Sequence, residues 1–554
     1  MRNPDSFIEK AEPGAFDYGN GLVSFAIYAP YKESVHVIGT FNDWDYQRNA
    51  LHEREPGYWV TVLQLDKGAY QYQFVIDGHV VICDPYAHEV AEGSAENDEI
   101  RAVLRVGEES YRWENDDWLR HKLRDLIIYE IHIGDFTHEG TFEAAADKFG
   151  YLAELGISAI EIMPVYETAP GDYWGYEPTF LMAPRRIYGS PENFRRLVDT
   201  AHAHDIAVIL DMVLAHTGHT HPFNRMYPYE QSPWFGSGLG EENQFGLPTF
   251  DYLKDPTNFF VRDVEIHWLT KYHVDGFRYD YLAGIGADEE GRGLSNLMKR
   301  ARDIQPDAFF IGECIPEDPG LVNGSGLSAV WHTRSRLALQ TLAAEREFEP
   351  YSWSRFKEAV SVFDPGTQNY ETPQFMINYF ESHDDMRLMR ILHEAGFDDS
   401  ACWKKAALAA TILMTIPGEP MVFQGQEWAE ASAAESGQNK INWQIARSQE
   451  GKSLIAHYRY LCKLRRSHSC LRSDDFAISL IDEEKRCIVY ERRFGESDLA
   501  VVVVNFSREA QKISISFPQS GYWHEPGGEP FEVERNTDWD IPGFEAIIFL
   551  SGKP

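Results

Sequence analysis

Ala207-Val208-Ile209-Leu210-Asp211 is the first of four short stretches that decide the fold of this chain of 554 residues. Each is an apolar run that leads to a carboxylate, and the others are Gly276-Phe277-Arg278-Tyr279-Asp280, Phe309-Phe310-Ile311-Gly312-Glu313 and Phe375-Met376-Ile377-Asn378-Tyr379-Phe380-Glu381-Ser382-His383-Asp384. Such runs, alternating with helical stretches, are typical of parallel strands covered on both faces. Because reactive groups lie at the carboxyl ends of such strands, these carboxylates are predicted to share one acid–base site.

The region that follows residue 123 alternates strands, loops and helices. The predicted strands are Asp125 to Ile131, Ala159 to Met163, Ala207 to Asp211, Gly276 to Asp280, Ala308 to Gly312, Ala329 to Trp331, Phe375 to Tyr379 and Met421 to Phe423. This pattern predicts an α/β fold with a closed (β/α)₈ barrel of the TIM type. An open doubly wound sheet is the alternative, but no G-x-G-x-x-G motif follows a strand, so the usual dinucleotide-binding signature is missing.

Two regions rich in strand-like runs flank the predicted barrel. The runs are separated by turn signals such as Asp77-Gly78, and each region is predicted to form a small β-sandwich. An acidic segment over residues 92–117 is predicted to be a connector. We therefore predict domains at residues 1–110, 111–470 and 471–554, with a long loop insertion in the barrel at 216–256. Long loops on the carboxyl face of a barrel are usually functional.

The composition is strongly acidic. The chain has 51 Lys and Arg residues and 87 Asp and Glu residues, which gives a net charge of −36. This charge opposes binding to nucleic acid and to anionic membranes, and it suits a neutral substrate. The sequence has no apolar run suited to a membrane span or a signal peptide. It has six cysteines, and their spacing does not match that of a metal finger. A cytoplasmic protein is therefore expected. The sequence does not decide whether a leader peptide has been removed or which oligomeric state the protein adopts.

The order of these motifs resembles that of the α-amylase family of glycoside hydrolases. Residues 211–216, 276–280, 312–313 and 382–384 are similar to the four signature stretches of the family, and 247–251 is similar to its loop signature. Trp174-Gly175-Tyr176 resembles the family's aromatic segment after the second strand. Residues 37–44, 57–59 and 70–74 resemble the glycogen-binding type of carbohydrate module that precedes many of these barrels. The match covers most of the chain.

The resemblance implies a retaining mechanism, in which two carboxyl groups about 5–5.5 Å apart flank the scissile bond. It implies three catalytic residues. Asp280 would be the nucleophile that forms a glycosyl-enzyme intermediate, and Glu313 would be the general acid and then the base. Asp384 would bind sugar hydroxyls and help to distort the ring.

The resemblance also implies five substrate-binding residues: Tyr176, Asp211, His216, Arg278 and His383. Asp211 would hold Arg278, whose charge would keep the nucleophile ionised. The two histidines would contact sugar hydroxyls, and Tyr176 would stack beneath the sugar. Taken singly, most such residues are helix caps, loop hydrogen-bonders or structural ion pairs, so only their order indicates a site.

Two further expectations concern the amino-terminal module and metal binding. Trp44, Trp59 and Tyr72 are candidates for glycan contact, with a place in the sandwich core as the alternative. The family often has a calcium-binding Asn where this chain has Ala215, which lacks a side-chain ligand atom. We predict no metal-ligating residues and no required cofactor, and calcium stays open.

The motifs predict the mechanism better than the product, because hydrolysis and transfer differ only in what attacks the intermediate. We favour hydrolysis of α-1,4-glucosidic bonds in starch, glycogen or maltooligosaccharides, because residues 247–251 and 381–385 look more like those of α-amylases. The first alternative is a 1,4-α-glucan branching enzyme, followed by a trehalose-releasing hydrolase. A glycan-binding protein on an inactive barrel is a distant alternative.

Overall fold

A computed structural model of the chain describes residues 11–93, 100–241, 243–288, 290–432 and 439–552. Eight parallel strands close into a barrel, which confirms the predicted (β/α)₈ fold. In chain order these strands are Ile128–Ile131, Ala159–Ile162, Ala207–Met212, Gly276–Tyr279, Phe309–Gly312, Ala329–Trp331, Met376–Asn378 and Glu419–Phe423. Each pairs with the next, and the first pairs with the last.

Helices and two short hairpins connect the strands. The α-helices are Ile133–Phe136, Phe142–Ala146, Phe149–Leu155, Pro191–Ala203, Pro222–Met226, Asp255–Lys271, Leu282–Ile285, Leu294–Ile304, Pro319–Val322, Thr333–Ala344, Phe356–Ser361, Leu388–Glu394, Asp399–Thr415 and Gln449–Ser467. The hairpins pair Tyr166–Thr168 with Pro178–Pro184 and Glu347–Phe348 with Tyr351–Ser352. Across the described residues, no helix has the length and apolar character needed to cross a membrane.

Two antiparallel sheets form the amino-terminal sandwich. One has the strand order Gly14–Asp17, Leu22–Tyr28, Tyr58–Gln64 and His52–Glu55. The other has the order Val35–Gly39, Gly68–Ile76, Ile100–Val106 and Val90–Glu92, with Val80–Ile82 paired to Gly68–Ile76.

The connector predicted over residues 92–117 is wrong in part, because it contains the strand Ile100–Val106. Ala102, Leu104 and Val106 of this strand are buried, while Arg105 is exposed, so the arginine hid a regular strand alternation. Residues 94–99 of the predicted connector lie outside the described residues.

The carboxyl-terminal sandwich has one large and one small antiparallel sheet. The large sheet has the order Asp475–Asp482, Cys487–Phe494, Asp498–Asn505, Glu545–Ser551, Gly521–His524 and Phe531–Val533. The small sheet pairs Gln511–Ser516 with Asn536–Ile541. Cys487–Phe494 and Asp498–Asn505 are interior strands of the large sheet.

The barrel interior is packed rather than open. A buried apolar cluster fills part of it, with Ile128, Ala159, Ile209, Ile311 and Ile377 among its members. Polar side chains follow at the carboxyl ends of the same strands. The strand register places Asp211 directly beside Arg278, so neighbouring strands bring these two charges together.

Candidate active site

A cleft of about 630 Å³ opens at the carboxyl ends of the barrel strands. Six of the eight site residues predicted from the sequence line it: Tyr176, His216, Asp280, Glu313, His383 and Asp384. The other two, Asp211 and Arg278, are buried in contact with these residues. The structure therefore brings together eight residues that are spread over more than 200 positions of the sequence.

Arg278 is the centre of this group. Its guanidinium is fully buried, and it contacts three carboxylates: Asp211 at 2.8 Å, Asp280 at 3.1 Å and Glu313 at 3.1 Å. The indole ring of Trp331 lies 4.3 Å from the same guanidinium. A buried cation is costly unless it is paired, so these contacts explain how Arg278 stays charged inside the barrel.

Asp280 and Glu313 form a coupled pair on this arginine. Their side chains are 14% and 12% exposed, respectively. Burial, and then the charge of Glu313, raise the pKa of Asp280 well above its usual range, although Arg278 opposes this effect. Both carboxyl groups contact the same guanidinium, which holds them together at the wall of the cleft.

Tyr176, Asp211 and His383 form a hydrogen-bonded chain beside this pair. The Tyr176 hydroxyl donates to Asp211 Oδ2 at 2.6 Å, and it lies 2.8 Å from Nε2 of His383. The other ring nitrogen, Nδ1 of His383, lies 2.6 Å from Oε1 of Glu130. Since Tyr176 gives its proton to Asp211, both nitrogens of His383 face acceptors, which is the arrangement of an imidazolium.

The electrostatics of His383 agree with that assignment. Burial lowers the pKa of this imidazole, but the carboxylates of Asp384 and Glu130 outweigh burial and raise the pKa to about 10. Asp384 lies 3.2 Å from Nε2 of His383 and is half-exposed to the cleft. His383 is therefore cationic over the whole neutral range.

His216 differs from His383 in its charge state. It is buried, and its Nε2 donates to the backbone oxygen of Tyr176 at 2.9 Å. Burial lowers the pKa of His216, so the ring is neutral. Within the described residues its Nδ1 has no hydrogen-bond partner, and this nitrogen is shielded from solvent.

Glu130 and Trp331 belong to the site but were not predicted from the sequence. Both are almost fully buried, and they contact His383 and Arg278, respectively. The sequence feature that could have identified Glu130 is its charge, because it stands within the otherwise apolar strand Ile128–Ile131. Trp331 carried no such signal, because a tryptophan at the end of a buried strand normally packs in the core.

The aromatic residues proposed for the amino-terminal module lie in different environments. Trp59 and Tyr72 are 8% and 2% exposed, and they donate hydrogen bonds to the Ala29 backbone oxygen and to Asp84, respectively. They therefore occupy the sandwich core, the alternative left open by the sequence, and their rings are not available for glycan contact. Trp44 is half-buried, with the Arg101 guanidinium 4.1 Å from its ring, and stays a candidate.

The residues around Ala215 do not fit the family's usual calcium site. Ala215 is fully buried and has no side-chain oxygen. A Cβ atom placed on Gly284 would lie 2.7 Å from the Ala215 methyl group and 2.6 Å from the Tyr281 ring, so apolar atoms fill this region. Among the described residues, we find no group of three or more His, Cys, Asp or Glu side chains that could hold a metal ion.

The fold and site together define a class of (β/α)₈ barrel protein that holds two carboxyl groups on one buried arginine at the wall of a cleft. Comparison with known families gives the narrower assignment. The family described as "Alpha amylase, catalytic domain" matches residues 103–237 and 241–452, so the chain belongs to the α-amylase family and is an enzyme of that family. Carbohydrate-binding module 48 (isoamylase N-terminal domain) matches residues 12–87, and the α-amylase C-terminal all-beta domain matches 478–527.

Curated relatives include enzymes of two kinds. Malto-oligosyltrehalose trehalohydrolase of Saccharolobus solfataricus is 28% identical over 443 residues, which cover 74% of each chain. The 1,4-alpha-glucan branching enzyme of Prochlorococcus marinus is 26% identical and covers 91% of this chain and 75% of its own length. These similarities confirm the predicted family.

Solved structures show the same fold at low sequence identity. Type I pullulanase of Bacillus subtilis, solved with maltose, has a TM-score of 0.82 and 20% identity, and the match covers 98% of this chain and 86% of the pullulanase. A structure described as a putative alpha amylase from Salmonella typhimurium has a TM-score of 0.78 and 21% identity, covering 98% and 100%.

Proposed function

We propose that this protein is a retaining hydrolase of α-1,4-glucosidic bonds in starch, glycogen or maltooligosaccharides. The observation that carries the proposal is the placement of Asp280 and Glu313 on one buried guanidinium at the wall of an open cleft. Family membership supports action on α-glucans, and the retaining mechanism needs such a carboxylate pair.

Asp280 acts as the nucleophile in the first step. Its carboxylate attacks the anomeric carbon, the bond to the leaving oxygen breaks, and Glu313 gives its proton to that oxygen. In the second step a water attacks the same carbon, Glu313 takes a proton from the water, and the Asp280 carboxylate leaves. Glu313 is the acid of the first step, because the leaving oxygen must be protonated as the bond breaks.

The remaining residues hold the sugar and the pair. The Arg278 cation favours the ionised form of Asp280, and Asp211 fixes this arginine. The half-exposed carboxylate of Asp384 accepts hydrogen bonds from sugar hydroxyls, and His216, which lines the cleft, contacts the same sugar. Tyr176 lies in the cleft wall with its ring nearly parallel to that of His383, and it supports the sugar from below.

Two other reactions share this mechanism. A trehalose-releasing hydrolase is favoured by the similarity to trehalohydrolases, which includes a relative from Deinococcus radiodurans at 30% identity. A branching enzyme is favoured by the longer coverage of the branching-enzyme relatives. The first differs from our proposal in the substrate, and the second in the attacking group.

Analysis of products distinguishes these three functions. The purified protein is incubated separately with amylose and with maltooligosyltrehalose, and reducing ends, free trehalose and iodine staining are measured. New reducing ends from amylose support the proposal. Release of trehalose without attack on amylose supports the second function. A fall in iodine staining without new reducing ends contradicts hydrolysis and supports branching.

We also propose that catalysis does not depend on calcium. Ala215 offers no side-chain ligand, and apolar atoms fill its surroundings. Treatment with excess EDTA, followed by its removal, is expected to leave both activity and melting temperature unchanged. A fall in either that added Ca²⁺ reverses would contradict this expectation.

A cytoplasmic location is proposed from the state of the thiols. All six cysteines are buried and unpaired, which suits a reducing compartment. Fractionation of the source cells, with activity measured in each fraction, tests this proposal. Activity confined to the culture medium would contradict it.

A further inference from the structure

We propose that Glu317 is a positioning residue for the general acid: its buried carboxylate fixes the loop that carries Glu313. The inference rests on the proposed function, which makes Glu313 the acid. Residues 313–317, which we name the acid loop, follow the fifth barrel strand, Phe309–Gly312. Glu317 ends this loop and attaches it to the next part of the barrel.

The carboxylate of Glu317 is buried among several partners. Its side chain is only 1% exposed, although it belongs to a loop. Its Oε1 accepts a hydrogen bond from the backbone N–H of Arg334 at 2.7 Å, and its Oε2 accepts one from the Tyr370 hydroxyl at 2.9 Å. Nε of Arg334 and Nε2 of His332 lie 3.8 Å and 3.9 Å from Oε2, respectively. A buried carboxylate is costly unless it is paired, so these contacts hold this end of the acid loop in one place.

Tyr370 contacts this carboxylate from a different connection of the barrel. It follows Glu317 by 53 residues and lies between the strands Ala329–Trp331 and Met376–Asn378. Burial, and then the charge of Glu317, raise the pKa of the Tyr370 hydroxyl, so this group stays protonated and donates to the carboxylate. The hydroxyl therefore joins two connections at the carboxyl face of the barrel.

The other oxygen of Glu317 caps a barrel helix. Among the described residues, the helix Thr333–Ala344 receives no side-chain hydrogen bond from its own N-cap residue, His332. Glu317 supplies an acceptor to the Arg334 N–H in the first turn of this helix. A carboxylate stabilises a helix N-terminus, because the first N–H groups lack partners within the helix and the helix dipole is positive there. The acid loop is thus attached to a helix of 12 residues.

The start of the acid loop is fixed as well. The Glu313 N–H donates to the Tyr279 backbone oxygen at 2.9 Å, and the Glu313 backbone oxygen accepts from the Leu282 N–H at 2.9 Å. Only three residues separate Glu313 from Glu317. One of them, Cys314, is buried, and its Sγ lies 3.4 Å from the Pro316 backbone oxygen. A short loop that is held at both ends leaves the acid little freedom to move.

The attachment point of Glu317 adjoins that of Arg278. His332 directly follows Trp331, whose ring lies 4.3 Å from the Arg278 guanidinium. The end of one strand therefore locates both the acid loop and the arginine that contacts Glu313. Proton transfer requires the acid within hydrogen-bond distance of the leaving oxygen, and small displacements slow it strongly. Glu317 acts on this distance without touching the substrate.

Two substrates isolate this role. Phenyl α-maltotrioside releases phenol, a poor leaving group that needs a proton from the acid. In contrast, 2-chloro-4-nitrophenyl α-maltotrioside releases a phenolate that leaves readily without one. Both substrates place an aryl group on the same side of the cleaved bond, so a change in binding on that side affects them alike. The measured quantity is the ratio of kcat/KM for the phenyl substrate to kcat/KM for the chloronitrophenyl substrate, from release of the phenol.

Two variants weaken the attachment of the acid loop. Glu317→Gln removes the charge, and Tyr370→Phe removes one hydroxyl and carries the test if Glu317→Gln does not fold. Asp318→Asn is the matched control, because Asp318 is an exposed carboxylate next to the acid loop that accepts from the Gly320 N–H at 2.9 Å. Asparagine serves equally well at such a helix N-cap. The melting temperature of each variant shows whether it is folded.

We expect the ratio to fall by about fivefold or more in Glu317→Gln and Tyr370→Phe and to stay within about twofold of the unmodified protein in Asp318→Asn. An unchanged ratio in the folded variants, even where both kcat/KM values fall together, shows a purely structural role. That result overturns the inference and leaves the proposed function intact. Turnover of neither substrate by the unmodified protein overturns the proposed function and the inference with it.

Discussion

At the scale of single residues, the site depends on one buried guanidinium. The two terminal nitrogens of the Arg278 guanidinium contact Asp211, Asp280 and Glu313. The ring of Trp331 covers the face of this guanidinium. A lysine could supply a charge here, but its single ammonium could not reproduce this spread of contacts. The arginine thereby fixes the positions of both reacting carboxylates.

Replacement of the acid tests its role directly. Glu313→Gln keeps the size of the side chain but removes the transferable proton, so we expect kcat for maltohexaose to fall by about 10²–10⁴-fold. The loss for α-maltosyl fluoride should be smaller, because departing fluoride needs less help from an acid. Glu177→Gln is the control, since Glu177 is an exposed carboxylate that lines the same cleft. Equal losses in the two Gln variants would contradict the assignment.

The pH profile tests the role of Glu130. The His383 imidazolium is present below its pKa of about 10 and is lost as pH rises through that value. Glu130→Gln removes a carboxylate that raises this pKa, so we expect the alkaline fall of kcat/KM to begin about one pH unit lower or more. Asp384 and Arg278, which also face His383, remain in this variant.

Glu161→Gln is the control for Glu130→Gln. Glu161 lies beside Glu130 in the strand register, and burial raises its pKa well above the usual range, which favours its neutral form. Glu161 also makes no hydrogen bond or ion pair to His383 among the described residues, so its replacement by glutamine should leave the alkaline limb in place. The same pH profile in both variants would show that Glu130 has only a structural role.

At the scale of elements, the turn after the fourth barrel strand sets the direction of a reacting group. The strand Gly276–Tyr279 leads into Asp280, and the left-handed Tyr281 begins the short helix Leu282–Ile285. Gly284 in this helix leaves room for the Tyr281 ring and for the Ala215 methyl group, which both lie close to its Cα. The turn therefore needs a small residue at position 284.

Gly284→Ala tests this packing. The added Cβ would lie 2.6 Å from the Tyr281 ring and 2.7 Å from the Ala215 methyl group. We expect the free energy of unfolding to fall by about 1–3 kcal/mol, measured by denaturant titration. Gly150→Ala in the helix Phe149–Leu155 is the control, because its added Cβ would make an ordinary contact of 3.6 Å. Equal stability of the two variants would contradict the packing argument.

At the scale of the whole molecule, a net charge of −36 is spread over the amino-terminal sandwich, the barrel and the carboxyl-terminal sandwich. Contacts between the amino-terminal sandwich and the barrel include the Lys32 ammonium bound to the Met226 backbone oxygen at 2.7 Å, and the Tyr227 hydroxyl bound to the Pro30 backbone oxygen at 2.6 Å. Like charges spread over a compact surface repel one another, and this repulsion opposes folding.

Screening of that repulsion should stabilise the protein. Raising NaCl from 10 to 200 mM shortens the Debye length from about 30 Å to about 7 Å. We expect the melting temperature to rise by about 2–5 °C, measured by calorimetry with EDTA present to exclude effects of divalent ions. A melting temperature that is flat or falls over this range would show that favourable ion pairs outweigh the repulsion.

The sequence by itself determined the barrel and the residues at its carboxyl face. This was possible because each motif is local: an apolar strand such as Ala207–Met212 stands directly before the side chains that the fold presents. The two sandwiches followed from the same strand periodicity. In contrast, the alternation of Ile100–Val106 was masked by its arginines, and the sequence left the roles of Trp59 and Tyr72 open between core and surface.

Only the tertiary structure decided which residues support and surround the site. Glu130 and His383 are 253 residues apart in the chain, yet their side chains are in contact in the fold. Burial also differs between similar residues, since Trp59 lies in a core while Phe245 faces the cleft. These outcomes depend on packing between distant segments, and no short stretch of sequence carries the free energy of such contacts.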